Sequence, residues 1–323
     1  MVGENNAAAQ KDSAPVVDVV IVNWNSRLLL RECVAAIERS PIAKQLHVIV
    51  VDNASTDGSS DGLAGGAVEI VRNPTNRGFA AACNQGAARG TARFVLFLNP
   101  DVRVRPDAIA NAASYMDDPA NAGVGIVGAR LLDADGRAQR SCARAPTAAT
   151  LLLHALFLDR LFPALVPPHF LTDWDHLDTR AVDQVMGAFL MIRRPLFELL
   201  GGFDERFFLY FGDVDLCLRA RQARAGVVHL ASAQAEHSGG GTTAAVKDRR
   251  LCYLANSKVA YTAKHHGPMV AVVLIALILC VEMPIRMLHA TMARSPGEGL
   301  MVLRGTALLW RSLPQLRGRV RGA

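Results

Sequence analysis

The chain has 323 residues, 51% of them hydrophobic, and carries a net charge of +6 at pH 7. This length suits one large α/β domain with a tail or two modest domains, and the apolar fraction excludes an intrinsically disordered chain. The positive charge is compatible with nucleic acid, phosphorylated substrates or acidic lipids as partners, and does not decide among them.

The N-terminal segment, residues 1–16, is polar and lacks the apolar run of a secretion signal. We therefore expect a flexible leader and no export. The six cysteines are scattered without a paired spacing, which is typical of reduced thiols inside the cell. Both features predict a protein that works intracellularly.

Strands and helices alternate over the first hundred residues. Short apolar runs rich in β-branched residues predict strands at 18–22, 47–51, 68–71 and 94–98. Helical spacing predicts a helix that buries Leu30 and Ile37 and is N-capped by Ser26, and a second helix at 78–88. This order predicts parallel strands covered by helices, and ligands bind beyond the carboxyl ends of such strands.

Asp52 and Asp101 each follow one of these strands and so fall at the ligand-binding edge. Asp52 would accept the N3–H of uracil or thymine, or it would close an ordinary turn. Asp101 ends the segment Leu98-Asn99-Pro100-Asp101, where it would ligate a divalent cation or belong to a simple proline-containing turn. Spacing alone leaves both interpretations open at each position.

Asp213 and Asp215 lie two residues apart beside an aromatic-rich segment, residues 207–211. Apolar surroundings raise the pKa of a carboxylate and make it a better base. His237 precedes a serine and three glycines, which suits a loop that folds over a ligand. These residues are therefore candidates for acid–base chemistry and ligand binding.

The C-terminal segment, residues 246–323, differs in composition from the rest. Residues 269–281 carry no charge, but this run falls short of the roughly 20 residues of a membrane span unless Glu282 lies inside it. Arginines recur between 304 and 321, which is typical of a helix on an anionic leaflet. We expect a membrane-associating tail, with a helix packed on the domain as the alternative.

Short motifs follow one another in a fixed order between Val17 and Thr243. In chain order they are Val22-Asn23-Trp24-Asn25, Val51-Asp52-Asn53-Ala54-Ser55-Thr56-Asp57-Gly58, Asn76-Arg77-Gly78-Phe79, Asn84-Gln85-Gly86, Leu98-Asn99-Pro100-Asp101, Gly187-Ala188-Phe189, Gly201-Gly202-Phe203-Asp204-Glu205-Arg206-Phe207-Phe208, Asp213-Val214-Asp215-Leu216-Cys217-Leu218-Arg219 and His237. Together they resemble the family 2 glycosyltransferases, in particular the bacterial rhamnosyl- and galactofuranosyltransferases.

The resemblance implies an α/β fold of the GT-A type, the nucleotide-diphospho-sugar transferase fold, with a mixed central sheet flanked by helices over residues 17–245. A membrane-associating helical tail would occupy residues 246–323. The implied reaction moves a sugar, with rhamnose from dTDP-rhamnose favoured, from a nucleoside diphosphate to a hydroxyl of a glycan or polyprenyl-linked acceptor, with inversion. The enzyme would act in cell-surface polysaccharide synthesis at the cytoplasmic face of the inner membrane.

The resemblance also implies residue roles. Asp213 would be the catalytic base, and Asp101 and His237 would ligate Mg²⁺ or Mn²⁺. Asp52 would contact the nucleotide base, and the loop Asn76-Arg77-Gly78 would line the nucleotide pocket. Further substrate contacts are implied at Asn23, Asn99, Gly187, Asp215 and Arg219.

Two positions depart from the usual family pattern. Asn99 stands where many members carry the first aspartate of the metal-binding motif, so the cation would have one charge fewer around it. Gly212 stands where an acid usually precedes the base, so Asp213 would act without that neighbour. Asp215 would orient its loop, and Arg219 would pair with Asp215 or with phosphate.

Gly123, Gly125 and Gly128 match the GxGxxG spacing of a dinucleotide-binding loop. That loop needs a strand immediately before it and a helix after it. Here residues 117–121 are polar, and residues 129–136 have the pattern of a strand entering a turn. We therefore expect the glycines to allow close packing within an apolar strand, and not to form the cofactor site of an oxidoreductase.

Two further alternatives come from other functional classes. A nucleic-acid-binding module would suit the basic charge, but the arginine-rich tail lacks a helix-turn-helix pattern and interleaved aromatic residues, so we expect no nucleic-acid partner. A catalytically degenerate relative serving as a membrane scaffold would bind a nucleotide sugar without turnover.

Overall fold

The computed structural model describes residues 15–63, 68–239 and 246–321. Nearly all of the predicted leader, residues 1–16, lies outside the described residues, as do 240 and 241 of the predicted glycine loop.

The four strands predicted from the apolar runs form the parallel half of one sheet. They are β1 (Val17–Asn23), β2 (Leu46–Asp52), β3 (Val68–Arg72) and β4 (Phe94–Leu98), in the order β3-β2-β1-β4. Almost every residue of β1, β2 and β4 is buried, the pattern of parallel strands between two helix layers. The predicted parallel arrangement is confirmed.

Helices α1 (Leu29–Glu38), α2 (Phe79–Ala87) and α3 (Ala108–Asp117) cover this half. Helix α1 buries Leu30 and Ile37, as its spacing predicts. The prediction that Ser26 caps α1 is wrong: the helix begins after Leu28 with no side-chain cap. The Ser26 hydroxyl instead donates to Asn23 Oδ1, because the turn after β1 brings the two side chains together.

The sheet becomes mixed in its second half. Strand β10 (Phe189–Arg193) runs antiparallel between β4 and β6 (Val124–Leu132), and β6 pairs in parallel with β11 (Gly226–His237). The short strands β5 (Val102–Val104) and β8 (Arg180–Ala181) pair with β11, and β7 (Cys142–Ala143) pairs with β9 (Gln184–Val185) in a separate ribbon. The remaining helices of this half are α4 (Ala148–Ala155), α5 (Leu158–Leu161), α6 (Arg194–Leu199) and α7 (Gly212–Gln222).

The glycines of the GxGxxG spacing lie at or within β6. A Cβ at Gly125 would collide with Leu196 and Ala225, and one at Gly128 with Val185. The expected close packing within an apolar strand is confirmed for Gly125 and Gly128, whereas Gly123 precedes the strand and has open space beside it.

The C-terminal region is helical: α8 (Lys247–His266), α9 (Pro268–Leu277), a π-helical turn (Ile278–Glu282), α10 (Met283–Met292) and α11 (Pro296–Arg321). Helix α9, the π turn and α10 form one continuous helix, Pro268–Met292, whose 25 residues are long and apolar enough to cross a bilayer by length and composition alone. Glu282 lies inside this helix, 4% exposed and bonded to Arg286. The apolar segment is thus longer than the charge-free run.

The C-terminal helices also pack on the rest of the protein. Tyr261 of α8 and Leu309 of α11 are fully buried in a cluster that includes Leu151 of α4 and Phe211 and Val214 at the start of α7. Other apolar side chains of the same helices remain exposed, including Met269, Val272, Leu288, Met292, Leu303 and Trp310. The region therefore has one face on the domain and one apolar face outward.

Candidate functional site

A cavity of about 1040 Å³ opens where the carboxyl ends of β1 and β4 meet the loop before β10 and the start of α7. This is the edge at which parallel α/β sheets bind ligands. Asn99, Asp101, Gly187, Asp213 and His237 all line it. Residues as far apart in the chain as Asn99 and His237 thus converge on one space.

Asp101 and His237 face each other across this cavity, with His237 Nε2 3.6 Å from Asp101 Oδ1. Both side chains are more than nine-tenths buried. Gln139 holds His237 in place: its Oε1 lies 3.2 Å from His237 Nδ1, and its Nε2 donates to the His237 carbonyl. Burial lowers the pKa of His237 despite the opposing charge of Asp101, so the imidazole is neutral and able to ligate a metal.

This pair fits a cation that is bound together with substrate. Among the described residues, no group of three or more His, Cys, Asp and Glu side chains could hold a metal ion by itself. One carboxylate and one imidazole suffice for Mg²⁺ or Mn²⁺ when substrate phosphates and water complete the coordination. Asn99 lines the cavity beside Asp101, and its N–H donates to the Ala188 carbonyl, which ties the end of β4 to β10.

Asp213 is the second residue of α7 and is half-buried in the cavity wall. The Gly187 N–H donates to Oδ2 and the Val214 N–H donates to Oδ1, each at 2.9 Å. A Cβ at Gly187 would lie in ordinary van der Waals contact with Asp213, 3.4 Å from its Cβ. Burial raises the pKa of Asp213 although these N–H groups lower it, and a raised pKa favours a general base.

Asp215 points the other way and is fully buried. Arg219 Nε donates to its Oδ2 at 2.7 Å, and Lys264 and His265 of α8 contact its Oδ1 at 2.6 and 2.7 Å. Arg219 also donates to the carbonyls of Leu200 and Gly202. Neither Asp215 nor Arg219 lines the cavity, so the structure does not support the substrate contacts expected for them: both are committed to an internal ion cluster.

Asn23 is also internal. It is fully buried, and its amide donates to the hydroxyls of Ser55 and Ser59 while its carbonyl oxygen accepts from Ser26. These bonds join the loop after β1 to the loop after β2. Because every polar atom of the side chain is used, Asn23 shapes the cavity wall and does not contact a ligand, which corrects its predicted role.

Asp52 lies at the end of β2 and borders a second, smaller cavity of about 310 Å³ with Arg72 and Asn73. Its two oxygens accept from the Ser55 N–H at 3.0 Å and the Ser60 hydroxyl at 2.5 Å. Asp52 therefore closes the turn after β2, which was one of its two predicted roles. The smaller cavity beside it leaves room for a planar ring.

Only part of the loop Asn76-Arg77-Gly78 lines the large cavity. Asn76 and Gly78 line the large cavity, whereas the Arg77 side chain is exposed and does not. Gly78 adopts a φ of +87°, and a Cβ there would lie 2.7 Å from the Phe208 carbonyl oxygen. Only glycine permits this contact, which places the segment 207–211 against the loop.

The sequence patterns did not identify several residues of the site. Gln139, Arg144, Gln184 and Lys258 all line the cavity, yet none belongs to a recognisable motif. Helix α8 contributes Lys258 although it lies beyond residue 245, the predicted end of the catalytic domain. The only signal in the sequence was the spacing of residues 250, 254 and 258 along one face of α8, and that spacing is common to any amphipathic helix.

The chain matches the family model described as Glycosyl transferase family 2 over residues 18–198. N-acetylglucosaminyl-diphospho-decaprenol L-rhamnosyltransferase of Mycobacterium tuberculosis is 28% identical over 272 residues, which cover 78% of this chain and 85% of that protein. Rhamnosyltransferase WbbL of Escherichia coli is 26% identical over 144 residues, 45% of this chain and 52% of that protein.

Two solved structures show the same fold. A mannosyltransferase from Pyrobaculum calidifontis in complex with GDP-Man and Mn²⁺ gives a TM-score of 0.53 at 19% identity, covering 93% of this chain and 88% of that one. GalNAc-T7 with UDP, GalNAc and Mn²⁺ gives 0.52 at 15% identity, covering 77% and 51%. At these identities the likeness establishes the GT-A fold alone.

Proposed function

The chain belongs to glycosyl transferase family 2, in the branch similar to rhamnosyltransferases, and we propose that it transfers rhamnose from dTDP-rhamnose to a lipid-linked acceptor with inversion. The acceptor would be a hydroxyl of a glycan on a polyprenyl carrier, at the cytoplasmic face of the membrane. The observation that carries the proposal is the presence of Asp213 and of the Asp101–His237 pair in one cavity.

Asp213 is the proposed base. Each of its oxygens accepts one backbone N–H, which fixes the carboxylate and leaves further lone pairs for an acceptor hydroxyl. As the hydroxyl proton passes to Asp213, the acceptor oxygen bonds to the anomeric carbon and the bond from that carbon to the diphosphate oxygen breaks. Attack opposite the leaving group in a single displacement inverts the anomeric configuration.

Asp101 and His237 are the proposed ligands of Mg²⁺ or Mn²⁺, which would stabilise the negative charge of the diphosphate leaving group. Gln139 keeps the His237 ring oriented from its other nitrogen, and the Ser238 N–H donates to the Asp101 carbonyl. These bonds hold the two ligands in position before the donor binds, which lowers the entropic cost of binding.

The donor assignment rests on the relatives and on the smaller cavity. Two curated relatives are named as rhamnosyltransferases. The space beside Asp52 at the end of β2 would take the thymine ring, with the diphosphate extending toward Asp101. The Asp52 oxygens retain lone pairs for the N3–H of that ring while they close the turn.

The membrane assignment rests on the outward apolar face of the C-terminal helices. Trp310 and Leu303 of α11 are each 58% exposed, and Arg304 and Arg311 are exposed on the same helix. Aromatic and aliphatic side chains beside arginines suit the interface of an anionic leaflet. Replacing both Leu303 and Trp310 with serine should shift the protein away from anionic vesicles in a flotation assay, and unchanged flotation would contradict this assignment.

The proposed function is tested by calorimetry with Mn²⁺ or Mg²⁺ and a panel of dTDP-, UDP- and GDP-sugars. We expect metal-dependent binding that is tightest for dTDP-rhamnose and that weakens in the Asp101→Ala variant. Tighter binding of another donor would overturn the rhamnose assignment, and binding without turnover on any lipid-linked acceptor would indicate a degenerate scaffold.

A further inference from the structure

Acidic and basic residues line different parts of the large cavity. Its lining carboxylates are Asp101 and Asp213, both at the catalytic end. Between α4, residues 167–170 and α8, the lining contains basic side chains and no carboxylate of the described residues. We call this the basic end; its members are Arg144, His154, His169, Arg249, Arg250 and Lys258. A cavity wall with one sign of charge attracts an opposite charge.

A series of backbone contacts links the basic end to Asp213. Gln184 lies three residues before Gly187, whose N–H holds Asp213. Ala143 pairs with Gln184 in the β7–β9 ribbon, which brings Arg144 beside it. The Arg144 N–H then donates to the His169 carbonyl at 3.0 Å.

Two polar atoms along this path lack a hydrogen-bond partner among the described residues. Gln184 is 6% exposed and its Oε1 is buried without a donor. Arg144 uses Nη2 to bind Asp173, whereas its Nη1 is buried without an acceptor. Leaving such atoms unpaired costs free energy, and both belong to residues that line the cavity, so a change of side-chain rotamer on binding would let a ligand supply the missing donor and acceptor.

The positive charge of the basic end is only partly neutralised: Arg144 pairs with Asp173 through Nη2, and Lys258 has a weaker carboxylate partner. Lys258 Nζ is 3.9 Å from Glu282, but Glu282 already accepts two bonds from Arg286. Burial and the neighbouring His154 and Lys258 lower the pKa of His169 to about 4. His169 is therefore uncharged at neutral pH, and a bound anion would be attracted mainly by Lys258 and Arg144.

The basic end also adjoins the exposed apolar surface. Glu282, the neighbour of Lys258, lies in the middle of the apolar helix Pro268–Met292. The segment that enters the cavity at Pro167 is preceded by Leu161 and Leu165, which are 68% and 80% exposed. An amphipathic ligand can therefore place its anionic group in the basic end and its lipid outside.

We propose that the basic end binds the phosphate next to the acceptor sugar of a lipid-linked substrate. Arg144 Nη1 and Lys258 contact the phosphate oxygens, Gln184 Oε1 accepts from a sugar hydroxyl, and the reacting hydroxyl lies at Asp213. This assignment rests on the lipid-linked acceptor proposed above and adds the residues that recognise it. It makes the anionic linkage, and not only the sugar, a determinant of acceptor choice.

The test is calorimetry of the full-length protein with farnesyl diphosphate, farnesol and inorganic diphosphate as probes. We expect farnesyl diphosphate to bind at least about tenfold more tightly than either other probe, because it alone combines a diphosphate with an apolar isoprenoid chain. Lys258→Ala and Arg144→Ala should each weaken it by roughly 10- to 100-fold, the usual effect of losing a charged hydrogen bond. Lys258→Arg, which keeps the charge, should retain most of the affinity.

The matched control is Arg137→Ala. Arg137 has an 80% exposed side chain and does not line the cavity, so its removal lowers the net charge without touching the basic end. Thermal unfolding of each variant checks that it is folded. Equal weakening by Arg137→Ala, or unchanged affinity in both Lys258→Ala and Arg144→Ala, would overturn the assignment.

Two further outcomes separate this site from others. If dTDP displaces farnesyl diphosphate and loses affinity equally in Lys258→Ala, the basic end belongs to the donor and the inference fails. If inorganic diphosphate binds as tightly as farnesyl diphosphate, the lipid plays no part and the inference also fails. Binding that depends on Lys258 in a protein that transfers no sugar would support the site and refute the proposed function instead.

Discussion

The two faces of helix α7 hold aspartates in opposite environments. Asp213 faces the cavity, accepts only backbone N–H groups among its hydrogen bonds, and has a raised pKa because of burial. Asp215 faces α8; burial raises its pKa too, but the hydrogen bond from His265 and the charges of Arg219 and Lys264 outweigh burial and lower it. Residues two apart on a helix point to nearly opposite sides, so the backbone separates the two roles.

This difference shows what the C-terminal helices contribute to catalysis. Lys264 and His265 belong to the last turn of α8, and their contacts with Asp215 anchor the helix that presents Asp213. The cations that contact Asp215 give rigidity, whereas no cation of the described residues pairs with Asp213, so that carboxylate stays basic enough to accept a proton. Disrupting the surroundings of Asp213 should therefore lower the rate of transfer, whereas disrupting the surroundings of Asp215 should lower the stability of the fold.

The largest expected effect is on turnover in Asp213→Asn. Removing the base should lower kcat by roughly 10²- to 10⁴-fold while donor affinity stays nearly unchanged. Stability should fall by at most about 1–2 kcal/mol, because the amide removes a buried charge but its NH2 group cannot accept one of the two backbone N–H groups. Transfer assays and donor calorimetry measure both quantities, and a kcat within tenfold of the wild type would refute the role of base.

The second-largest effect is expected on the stability of the Asp215→Asn variant. Removing the carboxylate that Arg219, Lys264 and His265 share leaves buried cations under-compensated although Lys264 keeps Asp204. The free energy of unfolding should fall by about 3–5 kcal/mol, measured by urea denaturation. Asp117→Asn is the matched control, because the carboxylate of Asp117 pairs with Arg93 at the surface and should contribute at most about 1 kcal/mol. Equal losses in the two variants would show that burial of Asp215 is not the cause.

The pH dependence of stability should have opposite signs at the two positions. The lowered pKa of Asp215 gives stability that is present above the unfolded value of about 3.9 and is lost as pH falls through the folded pKa. The raised pKa of Asp213 gives stability below that value that is lost as pH rises through the folded pKa. Urea unfolding of both Asn variants from pH 3 to 7 checks this, and slopes of the same sign would contradict it.

The smallest effect is expected for His265→Asn. This change removes one partner of Asp215 and leaves Arg219 and Lys264, so stability should fall by about 1.5–3 kcal/mol, less than in Asp215→Asn. The kcat should drop only slightly. A kcat loss as large as that of Asp213→Asn would mean that His265 acts on the reaction itself.

Local patterns predicted much of the fold. The apolar runs predicted strands β1 to β4 to within a residue at each end, because β1, β2 and β4 are buried on both faces and are therefore mostly apolar, while the edge strand β3 is only partly buried. The cap at Ser26 could not be predicted correctly, since its hydroxyl is taken by Asn23 across the same turn. The continuous helix Pro268–Met292 was underestimated because Glu282 appeared to end the apolar run, whereas Arg286 neutralises it one turn later.

The site was predicted unevenly. The motifs identified Asp101, Gly187, Asp213 and His237 as candidates, and all line one cavity. The same motifs also identified Asn23, Asp215 and Arg219, which do not line the cavity. A motif does not specify which side of a helix or turn a residue faces.

The sequence by itself determined which segments form strands and helices, which faces they bury, and the membership of the chain in its family. These properties depend on periodicity and residue type within short stretches. Only the tertiary structure decided that Asp101 meets His237, that Asp215 is held by α8, and that α8 also forms the basic end of the cavity. Those contacts join residues 50 or more positions apart, so they arise from how sheet order and helix packing bring distant elements together.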